Sequence, residues 1–139
     1  MHETFADEIE KLVGIRFIKQ GRTLQGLDCL GIIIYALKQM GITPKTRDDY
    51  SLHGENYSED LIRYINYSCD PVSDISESQR GDLIVFSAFF NGYPKHLGVI
   101  DVAGDSFIHT NEELGKCVRE EMNENWQGLT HSIWRIKNG

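Results

Sequence analysis

The apolar residues of this chain change their spacing near its middle. In the first part they recur at helical intervals. Phe5, Ile9, Leu12 and Val13 share one face of a segment that Thr4 can cap and Gly14 can end. Residues 15–28 read as an irregular stretch in which Gly21 and Gly26 supply permissive backbone. The run from Cys29 to Met40 is apolar almost all round, as in a helix buried at the centre of a small domain. Three consecutive isoleucines (Ile32, Ile33, Ile34) also suit a strand. The length of the run, the presence of Ala36, Leu37 and Met40, and the glycine after it favour a helix with Asp28 as its N-cap. Ser58 is placed to cap a third helix that uses Leu61, Ile62 and Ile65.

Beyond that point the pattern becomes one of short strands. Asp82–Phe86, His96–Val102, Ser106–His109, Cys117–Arg119 and Ser132–Ile136 are the predicted strands, with turn signals at Asn91–Pro94 and Gly104-Asp105. Pro44, Pro71 and Pro94 fall in predicted loops, and Cys69 in the loop before Asp70-Pro71. Helices first and consecutive strands afterwards imply an α+β domain with an antiparallel sheet. The central helix then sets its first residue, Cys29, against the strand ends.

Composition narrows the classes. A chain of 139 residues is read as one domain over residues 1–139. That length buries roughly two-thirds of the unfolded surface, enough for one core without staples. With 40% apolar and 25% charged residues the chain is globular rather than disordered. Its net charge of −7 argues against nucleic acid as a partner, which requires clustered Lys and Arg. No apolar run approaches the about 20 residues that span a bilayer. The start, MHETFADEIEKL, is acidic where a signal peptide is basic and then apolar. The expectation is therefore a chain made in the cytoplasm without a signal peptide, or one cut from a longer precursor. Three cysteines do not make a disulfide framework and leave at least one free thiol.

Cys29 is the most informative of the three. A helix N-terminus carries partial positive charge and unpaired N–H groups, which favour a thiolate and can bind an oxyanion. A free cysteine is also often no more than a small buried hydrophobe. A cysteine nucleophile needs a base, and the base an orienting partner. His96 opens one predicted strand, with Gly98 leaving room beside it, and His109 ends the next. If those strands form a hairpin, both imidazoles sit at one end of the sheet, His96 as base and His109 holding its tautomer. His2, His53 and His131 are read as structural or solvent-facing, and Cys69 and Cys117 as non-catalytic. Zinc on Cys29, His96 and His109 is a rival, opposed by the lack of any short ligand spacing. No phosphate-binding glycine loop is present, and no cofactor is expected.

Four pieces in order carry a resemblance: Gly21 to Gly31, with its Asp28-Cys29-Leu30-Gly31 end; Arg80 to Phe86; His96 to Ile100; and Phe107 to Thr110. Together they resemble the NlpC-type family of cell-wall cysteine peptidases, distant papain-like enzymes. The resemblance implies a papain-like fold with Cys29 as nucleophile, His96 as base and His109 as the orienting third residue. It implies hydrolysis of peptidoglycan stem peptides between γ-D-glutamate and a diamino acid, with Asp28 holding the free amine of the stem. Phe17 takes the place of a tyrosine that borders the oxyanion site in many members, leaving more of that task to backbone N–H groups. Leu30 takes the place of a common serine. Leu30, the short chain and the absence of an export signal are similar to the phage-tail branch. That similarity implies a virion-associated enzyme acting at the cell wall, with phage tail proteins as partners. Its rivals are an inactive tail-assembly protein of the same fold and a different acyl transfer on the same residues.

Overall fold

The computed structural model describes residues 2–19, 21–43, 64–87 and 96–137. The first helix, α1 (His2–Glu10), buries Phe5, Ala6 and Ile9, with Leu12 buried just beyond its end. Its exposed carboxylates are gathered by one cation. Arg80 bonds Glu3, Asp7 and Glu10 at 2.8–2.9 Å and so pins the helix to the rest of the fold. Two expectations fail here. Thr4 lies inside the helix rather than at its cap. Val13 is 39% exposed, because the chain turns out of the helix after Glu10 and Gly14 adopts a φ of +97°. His2 is anchored rather than loose, since its Nε2–H donates to the Ile136 carbonyl at 2.8 Å.

A small hairpin, β1 (Arg22–Thr23) and β2 (Gly26–Leu27), leads into the central helix α2 (Cys29–Gln39). Asp28 caps α2 as expected, its Oδ1 accepting from the Gly31 N–H at 2.7 Å. Gly41, at φ +76°, turns the chain out of α2, and the Ile42 N–H closes on the Leu37 carbonyl at 2.9 Å. Residues 64–68 are helical, with Tyr64 and Ile65 buried. Ser58, Leu61, Ile62, Pro44, His53 and the turn at Asn91–Pro94 lie outside the described residues.

The sheet has six antiparallel strands: β3 (Cys69–Val72), β4 (Leu83–Phe86), β5 (His96–Val102), β6 (Ser106–Asn111), β7 (Lys116–Glu121) and β8 (Thr130–Ile136). Their order is β3-β8-β4-β5-β6-β7, so β8 is inserted between two strands that precede it in sequence. One short helix, α3 (Glu124–Leu129), joins β7 to β8; Asn123 caps it by accepting from the Trp126 N–H at 2.9 Å. Residues 69–72 are a strand where a loop was expected. Proline cannot donate to a ladder, which hid the strand, but β3 is an edge and Pro71 needs only one neighbour there.

Strand alternation divides the core in two. Leu83, Val85, Leu97, Val99, Ile108 and Cys117 pack with α1 and α2. Ile84, Phe86, Ile100, Phe107 and Ile133 form a second cluster with Trp126 of α3. The joint at Arg80-Gly81-Asp82 ties the layers. Buried Asp82 receives Arg135 Nε and Nη2 at 2.9 Å each, from β8, and the Gln79 N–H at 2.9 Å. No helix of the described residues is long and apolar enough to cross a membrane.

Candidate active site

The strands β5 and β6 form a hairpin around Gly104, and their register pairs Val99 with Ile108. His96, at the start of β5, and His109, near the end of β6, therefore lie at the same end of the sheet. Their rings meet directly, His96 Nε2 to His109 Nδ1 at 2.6 Å, with centroids 4.8 Å apart. Gly98 makes this possible. A Cβ there would stand 3.0 Å from Phe107 Cδ2 and 3.5 Å from His109 Cβ, crowding the space the second imidazole needs.

Both imidazoles are fully buried in an aromatic enclosure. Phe86 stacks on His96 at 6.0 Å, and Trp126 stands edge-on to His109 at 5.3 Å. Burial holds the His96 imidazolium well below its ordinary range, and the neighbouring His109 adds to that. Burial also lowers His109, but Glu120 opposes it by hydrogen bond and by charge. Glu120, on β7, takes the Nε2 of His109 on its Oε2. Its Oε1 accepts the Trp126 indole N–H at 3.3 Å. Neither Glu120 nor Trp126 was marked by the sequence reading. The available signal is strand parity, which sets Glu120 and Val118 on the opposite face from buried Cys117.

Cys29 is the first residue of α2 and is fully buried. The helix packs against both β5 and β6, so the thiol and the imidazoles come from elements in direct contact. Asp28 is also fully buried, its Oδ1 shared by the Gly31 amide and by Arg22 Nη1 at 2.9 Å. Gly31 is required at this place, because a Cβ would meet the Gly21 carbonyl at 2.3 Å. Phe17 is half-buried and bridges Leu27, just ahead of the Asp28-Cys29 pair.

The other two thiols are different. Burial pushes Cys69 up to about 12, with the Asp70 charge adding to it, and burial pushes Cys117 up to about 12 as well. Both are free, buried and held as neutral thiols. His131 is exposed and bonded to Ser132 Oγ at 2.9 Å. Among the described residues no three His, Cys, Asp or Glu side chains converge in a set able to hold a metal ion.

Comparison with known proteins fits this arrangement. The profile of the NlpC/P60 family matches residues 14–135. The tail tip assembly protein K of Escherichia phage lambda is 31% identical over 88 residues, which is 63% of this chain and 41% of that protein. An NLP/P60 family lipoprotein-like protein of Staphylococcus aureus superposes with a TM-score of 0.69 at 22% identity, covering 99% of this chain and 42% of that one. The peptidoglycan hydrolase RipB of Mycobacterium tuberculosis superposes with a TM-score of 0.64 at 18% identity, covering 99% of this chain and 65% of that one. The chain thus spans less than half the length of the lambda and staphylococcal relatives.

Proposed function

The chain belongs to the NlpC/P60 family, and from that premise we propose that it is a cysteine endopeptidase, distantly papain-like, that hydrolyses peptidoglycan stem peptides. The bond cleaved joins γ-D-glutamate to a diamino acid. The observation that carries this reading is the buried His96–His109 pair, bonded at 2.6 Å on strands against which the Cys29 helix packs.

Cys29 gives its proton to His96, and the thiolate attacks the peptide carbonyl carbon. Backbone N–H groups at the head of α2 hold the oxyanion, with Phe17 at the border of that site adding no hydroxyl. The imidazolium of His96 then protonates the leaving amine, and the C–N bond breaks. Water, deprotonated by the same imidazole, hydrolyses the thioester and restores the thiol. His109 orients His96. Asp28 receives the free amine of the stem, through a carboxylate already shared with Arg22. The same reading makes the enzyme a phage-tail component acting at the cell wall, a setting supported by the similarity to the lambda tail protein.

Cys29→Ala is expected to abolish release of new free amines from defined muropeptides while leaving the circular dichroism spectrum and Tm intact. Iodoacetamide should likewise stop cleavage by alkylating Cys29, with Cys69 and Cys117 unreacted. Cleavage by Cys29→Ala at the wild-type rate would overturn the assignment. The lambda similarity together with Phe17 and Leu30 also favours a second reading, a tail-assembly protein without hydrolysis. Sacculi left undigested by the folded wild-type chain would select it.

A further inference from the structure

We propose that Glu120 is a positioning residue that sets the proton order of both buried imidazoles and leaves Nδ1 of His96 as the basic atom. The inference takes from the proposed function only the assignment of His96 as base.

A carboxylate accepts hydrogen bonds and donates none. Glu120 has both oxygens engaged, Oε1 by the Trp126 indole and Oε2 by His109 Nε2. The indole is a donor only, so its bond to Oε1 has one possible direction. Against Oε2, the Nε2 of His109 must carry its hydrogen. In a neutral imidazole one nitrogen donates and the other accepts. The Nδ1 of His109 is therefore the acceptor. At 2.6 Å it takes the hydrogen of His96 Nε2. The neutral ring of His96 then keeps its lone pair on Nδ1. Trp126 and His109 thus both donate to Glu120 and His96 donates to His109, so every donor points toward the carboxylate, one of whose oxygens is held by an indole that can only donate. Trp126 is itself placed by the Asn123 cap of α3.

Replacement by glutamine gives a sharp test, because the indole decides which way the amide turns. Trp126 needs an acceptor, so the amide oxygen of Glu120→Gln takes the place of Oε1 and its NH2 faces His109 Nε2. The indole bond keeps its direction, and both histidine bonds reverse. His109 becomes protonated on Nδ1 and donates to His96 Nε2, and His96 carries its hydrogen on Nδ1, where it cannot act as a base.

The experiment is nitrogen-15 NMR of histidine-labelled protein, in Cys29→Ala as well as in the wild type, so that the readout does not depend on activity. The expected result is the Nε2–H tautomer at His96 and His109 with Glu120, and the Nδ1–H tautomer at both with Glu120→Gln. In the Cys29-containing protein, Glu120→Gln should lower kcat for muropeptide cleavage by about a hundredfold or more with KM nearly unchanged, and Glu120→Asp should restore part of it. Identical tautomers in the wild type and Glu120→Gln would overturn the inference, as would full kcat in Glu120→Gln. Tautomers that reverse in Glu120→Gln, together with a wild-type protein that cleaves no muropeptide, would sink the proposed function and leave the role of Glu120 standing.

Discussion

Lowering the pH from 7.5 to 5.5 should destabilise this fold through two residues. His96 and His109 are fully buried and both are held below the ordinary histidine range, chiefly by burial. In the unfolded chain each titrates near about 6.5. At acid pH the unfolded state therefore binds protons that the native state refuses, so stability rises with pH across this window and falls as pH drops below about 6.5. An unfolded histidine gains about 1.4 kcal/mol from protonation between pH 7.5 and 5.5. The loss is thus about 1.4 kcal/mol for one refused proton and about 2.7 kcal/mol for two. Glu120 supports a charge on His109, which moves the expected loss from the upper figure toward the lower. For a domain of this size that is a fall in Tm of about 5–10 °C. The window stays above the range in which carboxylates titrate. The assay is calorimetry at half-unit steps of pH, on the wild type and on His96→Asn/His109→Asn. The double variant should lose most of the slope. Should it fail to fold, ring-proton NMR of the wild type serves instead, and both imidazoles should titrate below the ordinary histidine range, with His96 further below it than His109. A flat Tm profile, or either ring titrating near 6.5, would refute the reasoning.

Two substitutions test the frame around the site. Gly98→Val adds methyls to a Cβ that already stands 3.0 Å from Phe107 Cδ2 and 3.3 Å from the Ile108 carbonyl. It should cost about 1–3 kcal/mol in urea unfolding, and an unchanged midpoint would mean the Phe107 ring yields without cost. Asp82→Asn removes the charge from a fully buried carboxylate held by the Arg135 fork, whose side chain is 32% exposed. With that partial exposure the cost should be about 2–4 kcal/mol, and a loss of only a few tenths would reduce the pair to a surface contact.

The parts of the fold written in local chemistry were legible. Asp28 and Gly41 bracket α2 because one supplies a cap acceptor and the other a positive φ, requirements that few residues meet. The strand from His96 to Val102 was read with its observed bounds, since both its faces are buried and turn-forming residues flank it in the sequence. The pairing of His96 with His109 followed from a hairpin reading of the Gly104 turn. What was hidden depends on tertiary position. Pro71 reads as a loop unless the strand is known to be an edge. Glu120, beside Glu121 in an exposed-looking strand, reads as solvated surface until β6 is laid next to it and α3 brings an indole over the top. Thr4 was misplaced because a capping residue and a helix interior look alike when the helix begins two residues earlier.

The insertion of β8 between β3 and β4 sets a condition on synthesis. A ribosome delivers β3 through β7 before β8, so the hairpins β4–β5, β5–β6 and β6–β7 can close while β3 and β4 still lack their shared neighbour. The inner edge of β4, Leu-Ile-Val-Phe in sequence, then waits with unpaired N–H and C=O groups. Arg135 arrives with β8, so Asp82 also remains without its cation until that moment. The histidine hairpin can thus be assembled early while the layer that supports it stays open, and the nascent chain is most vulnerable to mispairing at β4.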